Sequence, residues 1–296
     1  MSRRTNYFLP YLFMLPAIVL ILFVFLLPFL ASVYISLTDW NGMGWNMRFI
    51  GLKNFTNMIG ARNINGVLLN NVKYFIILVF VQNSVAVLIA VLLNVKNRGQ
   101  GFFRAVLFLP TIISAVAVSF IWNLMYDPIY GPVPNAANFL HLPGLAGSTW
   151  LGDPGLALYL IAFVSMWQWT GWNMVVYYAG LQTIPSELYE SANMDGASAV
   201  QQFRHVTVPM LAPAITINMV VSSIGVLKIF DLPFVMANGG PGHSTTTFAI
   251  IIYNESFLAN KIGYGTALSL VLFVLVLLIS SLQTVYLRKR EADIAG

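Results

Sequence analysis

LPYLFMLPAIVLILFVFLLPFLASVYISL, residues Leu9 to Leu37, carries no charged side chain. It is long enough to cross a bilayer, for which about 20 mostly apolar residues suffice. It is too long for the core of a secretion signal and has no small-residue cleavage site before Asp39, so it reads as an uncleaved first span, bent at Pro16 and Pro28. Five more runs of the same kind follow, at about 74–95, 105–126, 155–181, 206–230 and 266–287, and Lys228 is the one formal charge within the six. Hydrocarbon enforces that pattern, because a central charge costs about 2.5 to 3.5 kcal/mol. The whole chain of 296 residues is 58% hydrophobic and 8% charged, against roughly 45 to 50% and about 25% in soluble domains. The predicted fold is an all-α integral membrane domain of six transmembrane helices over residues 1–296, with a cytoplasmic loop at about 182–205 and no soluble domain.

Six spans put both termini on one side, and the cations say which. Arg3, Arg4, Lys96, Arg98, Arg104, Arg204, Arg288, Lys289 and Arg290 fall on one set of segments, while Arg48, Lys53, Arg62, Lys73 and Lys261 are spread over the longer loops opposite. Both termini are therefore expected in the cytoplasm. The net charge of +5 lies in short clusters between apolar runs, a topology signal with no stripe for nucleic acid. The absence of cysteine excludes disulfides and thiolate metal sites, and His141, His205 and His243 fall in three different loops, which leaves no cluster for an integral membrane enzyme. Turn-forming residues at Asp39 to Trp45 and Asn238 to Gly242 mark structured external loops, and Thr247 to Tyr253 is apolar but too short to span.

The loop after the fourth run, Ile184-Pro185-Ser186-Glu187-Leu188-Tyr189-Glu190-Ser191-Ala192-Asn193-Met194-Asp195-Gly196, has helix ends written into it. Ser186 is placed to cap the first turn, Glu187 and Glu190 sit at the positive end of the dipole, and Gly196 suits a left-handed stop. Ser198 and Gln201 then form a capping box for a second helix. Two short helices joined at a glycine make a knob, with Leu188, Tyr189 and Ala192 on one face. Any membrane protein can carry an amphipathic helix here, so the residues alone leave its role open.

Glu190-Ser191-Ala192, Gly196 and Val206-Thr207-Val208-Pro209 resemble the E-A-A-x3-G-x9-I-x-L-P signature of permease subunits of binding-protein-dependent ABC importers. Ser191, Val206 and Val208 depart mildly from it. Leu37-Thr38-Asp39-Trp40, Phe49 to Phe55, Phe103-Arg104-Ala105 with Leu109-Pro110, Lys228 to Asp231, and Asn238 to Gly242 followed by Ser244 to Thr247 resemble the carbohydrate branch, of maltose, oligosaccharide and glycerol-phosphate type. The resemblance implies a type I importer permease in a bacterial or archaeal plasma (inner) membrane. It implies a coupling helix with Glu187, Leu188, Tyr189, Glu190, Ala192, Asp195 and Gly196 against an ATPase. The partners it implies are a second homologous permease, two ATPase subunits, an external solute-binding protein docking near Asn41 to Asn54 and Asn238 to Thr247, and a small carbohydrate.

The energy source is then another subunit. A phosphate-cradling loop ends in Gly-Lys-Ser/Thr, and none of the lysines here follows a glycine. The chain itself is expected to bind no cofactor, ATP and magnesium belonging to the partner ATPase. The alternative, a self-sufficient secondary carrier, wants an intramembrane acid, whereas Asp127 and Asp231 sit at span ends. Lys228 and Asp231 are spaced to pair on one helical face.

Polar residues inside spans are expensive, so a cluster of them marks a pathway. Ser165, Gln168, Trp169 and Trp172 share one helical face, with Trp167 and Asn173 beside it. Indoles stack on sugar rings and amides bind hydroxyls. The same composition also serves interfacial anchoring and helix packing. By the resemblance, the sugar-contacting positions fall on Ser165, Gln168, Trp169 and Trp172, and in the fifth span on Ser222, Gly225, Val226 and Ile229, where only Ser222 is polar. Gln82, Asn83 and Asn123 are placed either to line the path or to join helices, with helix packing the preferred reading.

Overall fold

Apolar runs must satisfy every backbone polar group internally, and helices do so within one segment. The computed structural model describes residues 9–44, 46–61, 63–94 and 99–295, and among them there is no strand, only an isolated antiparallel bridge between Thr38 and Phe49. Arg3, Arg4, Arg62, Lys96 and Arg98, used above for orientation, lie outside the described residues, as does Val95, the expected end of the second span. By its contacts the chain forms two compact units, Met1–Ala61 with Ile251–Val271 and Arg62–Ile250 with Leu272–Gly296.

In the first unit, α1 (Phe13–Ser36) runs as one helix through Pro16 and Pro28. Proline lacks an N–H and crowds the carbonyl four residues back. A π step over Leu22–Leu26 absorbs this just before Pro28, with Leu27 N–H donating to Leu22 O. Except at Ser36, no described α1 side chain is buried. Its carboxyl end is closed by residues 37–39 and 48–54 acting together. The Thr38–Phe49 bridge is flanked by Asp39 N–H to Arg48 O (3.1 Å) and Ile50 N–H to Leu37 O (2.8 Å). From α2 (Lys53–Ile59), the buried Asn54 amide donates to Ser36 O and Thr38 O, both at 2.8 Å. Ser36 O is among the carbonyls a helix end leaves unpaired, and Thr38 O follows just beyond it.

The second unit begins with α3 (Ile64–Leu92), which starts ten residues before the expected Tyr74. Val67, Asn70, Asn71 and Tyr74 are buried at helical spacing, so the mixed segment before the apolar run winds into the same helix. The third run is not one straight span. α4 (Gln100–Ile112) and α5 (Ala115–Met125) meet at 99°, where Ile113 is extended and Ser114 caps α5 by accepting from Ala117 N–H. The short α6 (Pro132–Phe139) leads to α7 (Ala157–Leu181), which matches the fourth run. The loop helix α8 (Ser186–Met194) is followed by α9 (Ala199–Met210) and α10 (Ala212–Leu227), bent by 68° at Leu211 beside Pro213. The fifth run was expected to reach Phe230, but α10 stops at Leu227 and α11 (Asp231–Ala237) starts afresh.

The core of this unit wraps around α7. Ala86 and Ala90 of α3 pack with Met174, Tyr177, Leu181 and Leu211 in one cluster, small residues allowing close helix approach. Gly171 permits the closest contact, since a Cβ there would overlap the Leu107 carbonyl of α4. The chain closes with α12 (Phe248–Leu258) and α13 (Ile262–Ala292). Of the described helices, α1, α3 and α13 are each long and apolar enough to cross a membrane, and the two bent pairs raise this to five if each pair is one span.

Candidate functional site

Residues from α3, α5, α7, α10 and the α10–α11 break enclose a cavity of about 280 Å³. Every pathway residue singled out from the sequence lines it: Ser165, Gln168, Trp169, Trp172 and Asn173 from α7, and Ser222 from α10. Gly225, Val226 and Ile229 complete the α10 wall. The spacing of the α7 residues sets this directly, because a helix brings i, i+3, i+4 and i+7 to one face. Trp169 and Trp172 remain 44% and 45% exposed, and Phe108 stacks on Trp172 with ring centres 6.4 Å apart.

Gln168 is 1% exposed and held on both sides. Its Nε2 donates to Ile113 O (2.9 Å) at the α4–α5 break, and its backbone carbonyl accepts from Thr111 Oγ1 (2.8 Å). Its Oε1 meets no partner within the chain, and neither does Nδ2 of Asn173, which is 5% exposed. Unpaired buried amide atoms of this kind cost about 1 to 3 kcal/mol each. Behind this face a network fixes the helices: Tyr177 OH donates to Asn83 Oδ1 (2.7 Å), Asn83 Nδ2 to Ser222 Oγ (3.2 Å), and Asn218 Nδ2 to Asn173 O (3.0 Å).

Several expectations change. Lys228 and Asp231 form no ion pair; the one salt bridge among the described residues joins Lys261 and Glu255. The helix break at Lys228 destroys the i, i+3 geometry, and both charges line the cavity instead. Of the residues left between path and packing, Gln82 lines the cavity, while Asn83 packs helices. Asn123 is not among the lining residues, and its buried Oδ1 finds no partner in the chain. Trp167 turns away, edge-on to Trp122 with centres 5.5 Å apart. No group of three or more His, Cys, Asp or Glu close enough to hold a metal occurs among the described residues.

The loop between α7 and α9 is braced as a unit. Pro185, not Ser186, is the N-cap of α8, and Ser186 is its first helical residue with no side-chain cap bond. At the other end Gly196 has φ +73°, with Ala197 N–H to Ala192 O (2.9 Å) and Gly196 N–H to Asn193 O (3.0 Å), the paired bonds of a Schellman stop. The Ser198–Gln201 capping box follows, and Gln202 Nε2 ties back to Asn193 Oδ1 (2.7 Å). Glu187, Leu188, Glu190, Asp195 and Gly196 are exposed. Tyr189 and Ala192 are half-buried, and Tyr189 packs against the α3–α7 cluster with its hydroxyl 3.0 Å from Thr207 Oγ1. The open face therefore carries Leu188 but not Tyr189, and it adds the exposed Met194 and Val200, which the sequence reading passed over.

The sequence profile of the binding-protein-dependent transport system inner membrane component family matches residues 4–291. The chain belongs to that family. As such a permease it is a multi-pass membrane protein and the transport component of an ABC importer. It is 36% identical to the lactose transport system permease protein of Rhizobium radiobacter over 287 residues, covering 95% of this chain and 94% of that one. It is 31% identical to the trehalose/maltose transport system permease protein of Thermococcus litoralis, covering 95% and 92%. It is also 31% identical to a probable starch degradation products permease of Thermoanaerobacterium thermosulfurigenes, covering 96% and 95%. In fold, the permease is similar to a chain of a bacterial ABC transporter that imports alginate, with TM-score 0.82, 22% identity and 95% of each chain covered.

Proposed function

We infer that this permease is one membrane half of an ATP-driven importer for a sugar or sugar-like solute, with α7 lining the path. The observation that carries this is the cavity: two exposed indoles beside two buried lining amides, each with an atom that has no hydrogen-bond partner within the chain. Indole faces take the apolar side of a sugar ring, and an unpaired acceptor at Gln168 with an unpaired donor at Asn173 suits hydroxyls, which do both. The relatives named for lactose, maltose and starch products support the substrate class. At about 280 Å³ the cavity is near the lower end of the range for ligand pockets.

In this reading α7 and the two bent pairs join α1, α3 and α13 as six spans, with both termini in the cytoplasm of a bacterium or archaeon. Two ATPase subunits, which bind ATP and magnesium, engage the α8–α9 knob through Glu187, Leu188, Glu190, Asp195 and Gly196, with Tyr189 and Ala192 seating α8 from behind. An external binding protein docks on the loops at Asn41 to Asn54 and Asn238 to Thr247. One solved relative of the fold is an alginate importer in complex with its oligosaccharide-bound periplasmic protein, which supports such docking. The test is purification of the tagged chain from its native membranes. Recovery of a second permease and an ATPase, with ATPase activity raised by sugar-loaded binding protein, is the expected result. A chain that purifies alone and still transports in vesicles overturns it.

A further inference from the structure

The α10–α11 break brings Lys228 and Ile229 to the edge of the cavity, directly after Leu227, and a helix that stops here leaves its last carbonyls without helical partners. Two are claimed by side chains from other elements. Asn71 of α3 donates from Nδ2 to Leu227 O (3.3 Å), and Thr247 Oγ1 donates to Ile229 O (2.8 Å). The same two residues also hold the loop at 238–247. Asn71 Oδ1 accepts from Phe248 N–H (3.0 Å), and neighbouring Asn70 donates to His243 O and Thr246 O, both at 3.0 Å. The loop is closed on itself by Thr246 Oγ1 to Gly239 O and Thr245 Oγ1 to Gly240 O, each 2.8 Å. Asn70, Asn71 and Thr247 are all buried. The loop's own closure does not require Leu227 or Ile229.

We propose that Asn71 and Thr247 are positioning residues that lock loop 238–247 to the break at Leu227–Ile229, whose Lys228 and Ile229 form the cavity edge, so that loop and edge move as one piece. A displacement of the loop then reaches Lys228 and Ile229 directly, over two hydrogen bonds, without travelling the length of a span. The proposal rests on the reading of the cavity as the substrate path, and it gives the loop expected to meet the binding protein a short mechanical route to that path.

The absence of cysteine in the chain allows spin-label pairs to be introduced without background within it. Labels at Ser244→Cys and Lys228→Cys, in the complete transporter in lipid nanodiscs, report the loop-to-edge distance by pulsed electron resonance. A second pair, Ser186→Cys with Lys228→Cys, reports motion of the coupling loop relative to the same point, Ser186 being exposed on α8 outside the residues that engage the ATPase. The expected result is a single loop-to-edge distance, identical with and without trapped ATP, while the second pair shifts. Thr247→Val keeps the side-chain shape and removes only the hydroxyl, and Asn71→Ala removes the amide; each should broaden the loop-to-edge distribution even without nucleotide. A loop-to-edge distance that changes with ATP in the parent overturns the proposal. So does a Thr247→Val distribution identical to the parent, even with a lowered melting temperature, since that is what a purely stabilising bond gives. If Asn71→Ala does not assemble, Thr247→Val decides. A second pair that ignores ATP counts against the importer reading, while the nucleotide-free Thr247→Val comparison still judges the lock.

Discussion

Gly171→Ala adds one methyl where α7 packs directly against the backbone of α4. The new Cβ would overlap the Leu107 carbonyl and sit 2.9 Å from Phe108 Cα, and backbone cannot rotate away as a side chain can. Overpacking costs about 1 to 3 kcal/mol. If α4 shifts to relieve it, the Thr111–Gln168 and Gln168–Ile113 bonds loosen, at about 0.5 to 1.5 kcal/mol each. Alanine returns up to about 1 kcal/mol of helix propensity. The net loss is therefore about 1 to 5 kcal/mol. Gly225→Ala is the control, because Gly225 lies in α10 with nothing within 4 Å of its would-be Cβ. There only the propensity term acts, and about 0.5 to 1 kcal/mol of stabilisation is expected. Thermal midpoints of the two variants, followed by fluorescence-detected size exclusion in one detergent, should fall on opposite sides of the parent. Equal midpoints, or Gly171→Ala as the more stable, would refute the reasoning.

Trp172→Ala and Gln168→Ala should each lower sugar affinity by about tenfold, as loss of a stacking surface or a hydrogen bond in a desolvated site implies, read as the half-saturating concentration of uptake in proteoliposomes. Gly196→Ala forces a side chain into φ +73° at a strain of about 1 to 3 kcal/mol; ATPase recovered with the chain should drop while membrane insertion, followed by fractionation, stays normal. The Asp127 carboxylate accepts from Tyr130 N–H (2.8 Å) and Ile129 N–H (2.9 Å), which hold its pKa below the usual carboxylate range. The turn is thus favoured at all pH values above the ordinary aspartate value and loosens only as pH falls through the lower folded value. Amide exchange at Ile129 and Tyr130 should be constant from neutral pH to about 5 once corrected for intrinsic rates and accelerate only in stronger acid.

The apolar runs announced helices because hydrocarbon permits little else, and the α7 face was legible because Ser165, Gln168, Trp169 and Trp172 repeat at the helical period. What stayed hidden depends on tertiary partners. Lys228, Ile229 and Phe230 look like continuing helix, and the stop at Leu227 is helped by Asn71 and Thr247, whose side chains take two of the carbonyls it frees. Asn70 and Asn71 were passed over because they precede the apolar run, although they lie on the buried face of α3. The bend between α4 and α5 left a trace in Pro110, but its angle is fixed by Gln168 reaching Ile113 O, a contact from 55 residues away.

The cap that Asn54 places on the end of α1 also sets an order of events during synthesis. Asn54 follows Ser36 by 18 residues, so when the first helix leaves the ribosome its last carbonyls have only water or the insertion machinery to satisfy them. The end of α1 is free to slide until Phe49 and Asn54 emerge, and their arrival turns a provisional segment into one with a fixed terminus. A nascent chain stalled before Asn54 should therefore show the depth of α1 still adjustable, and one stalled well beyond it should not.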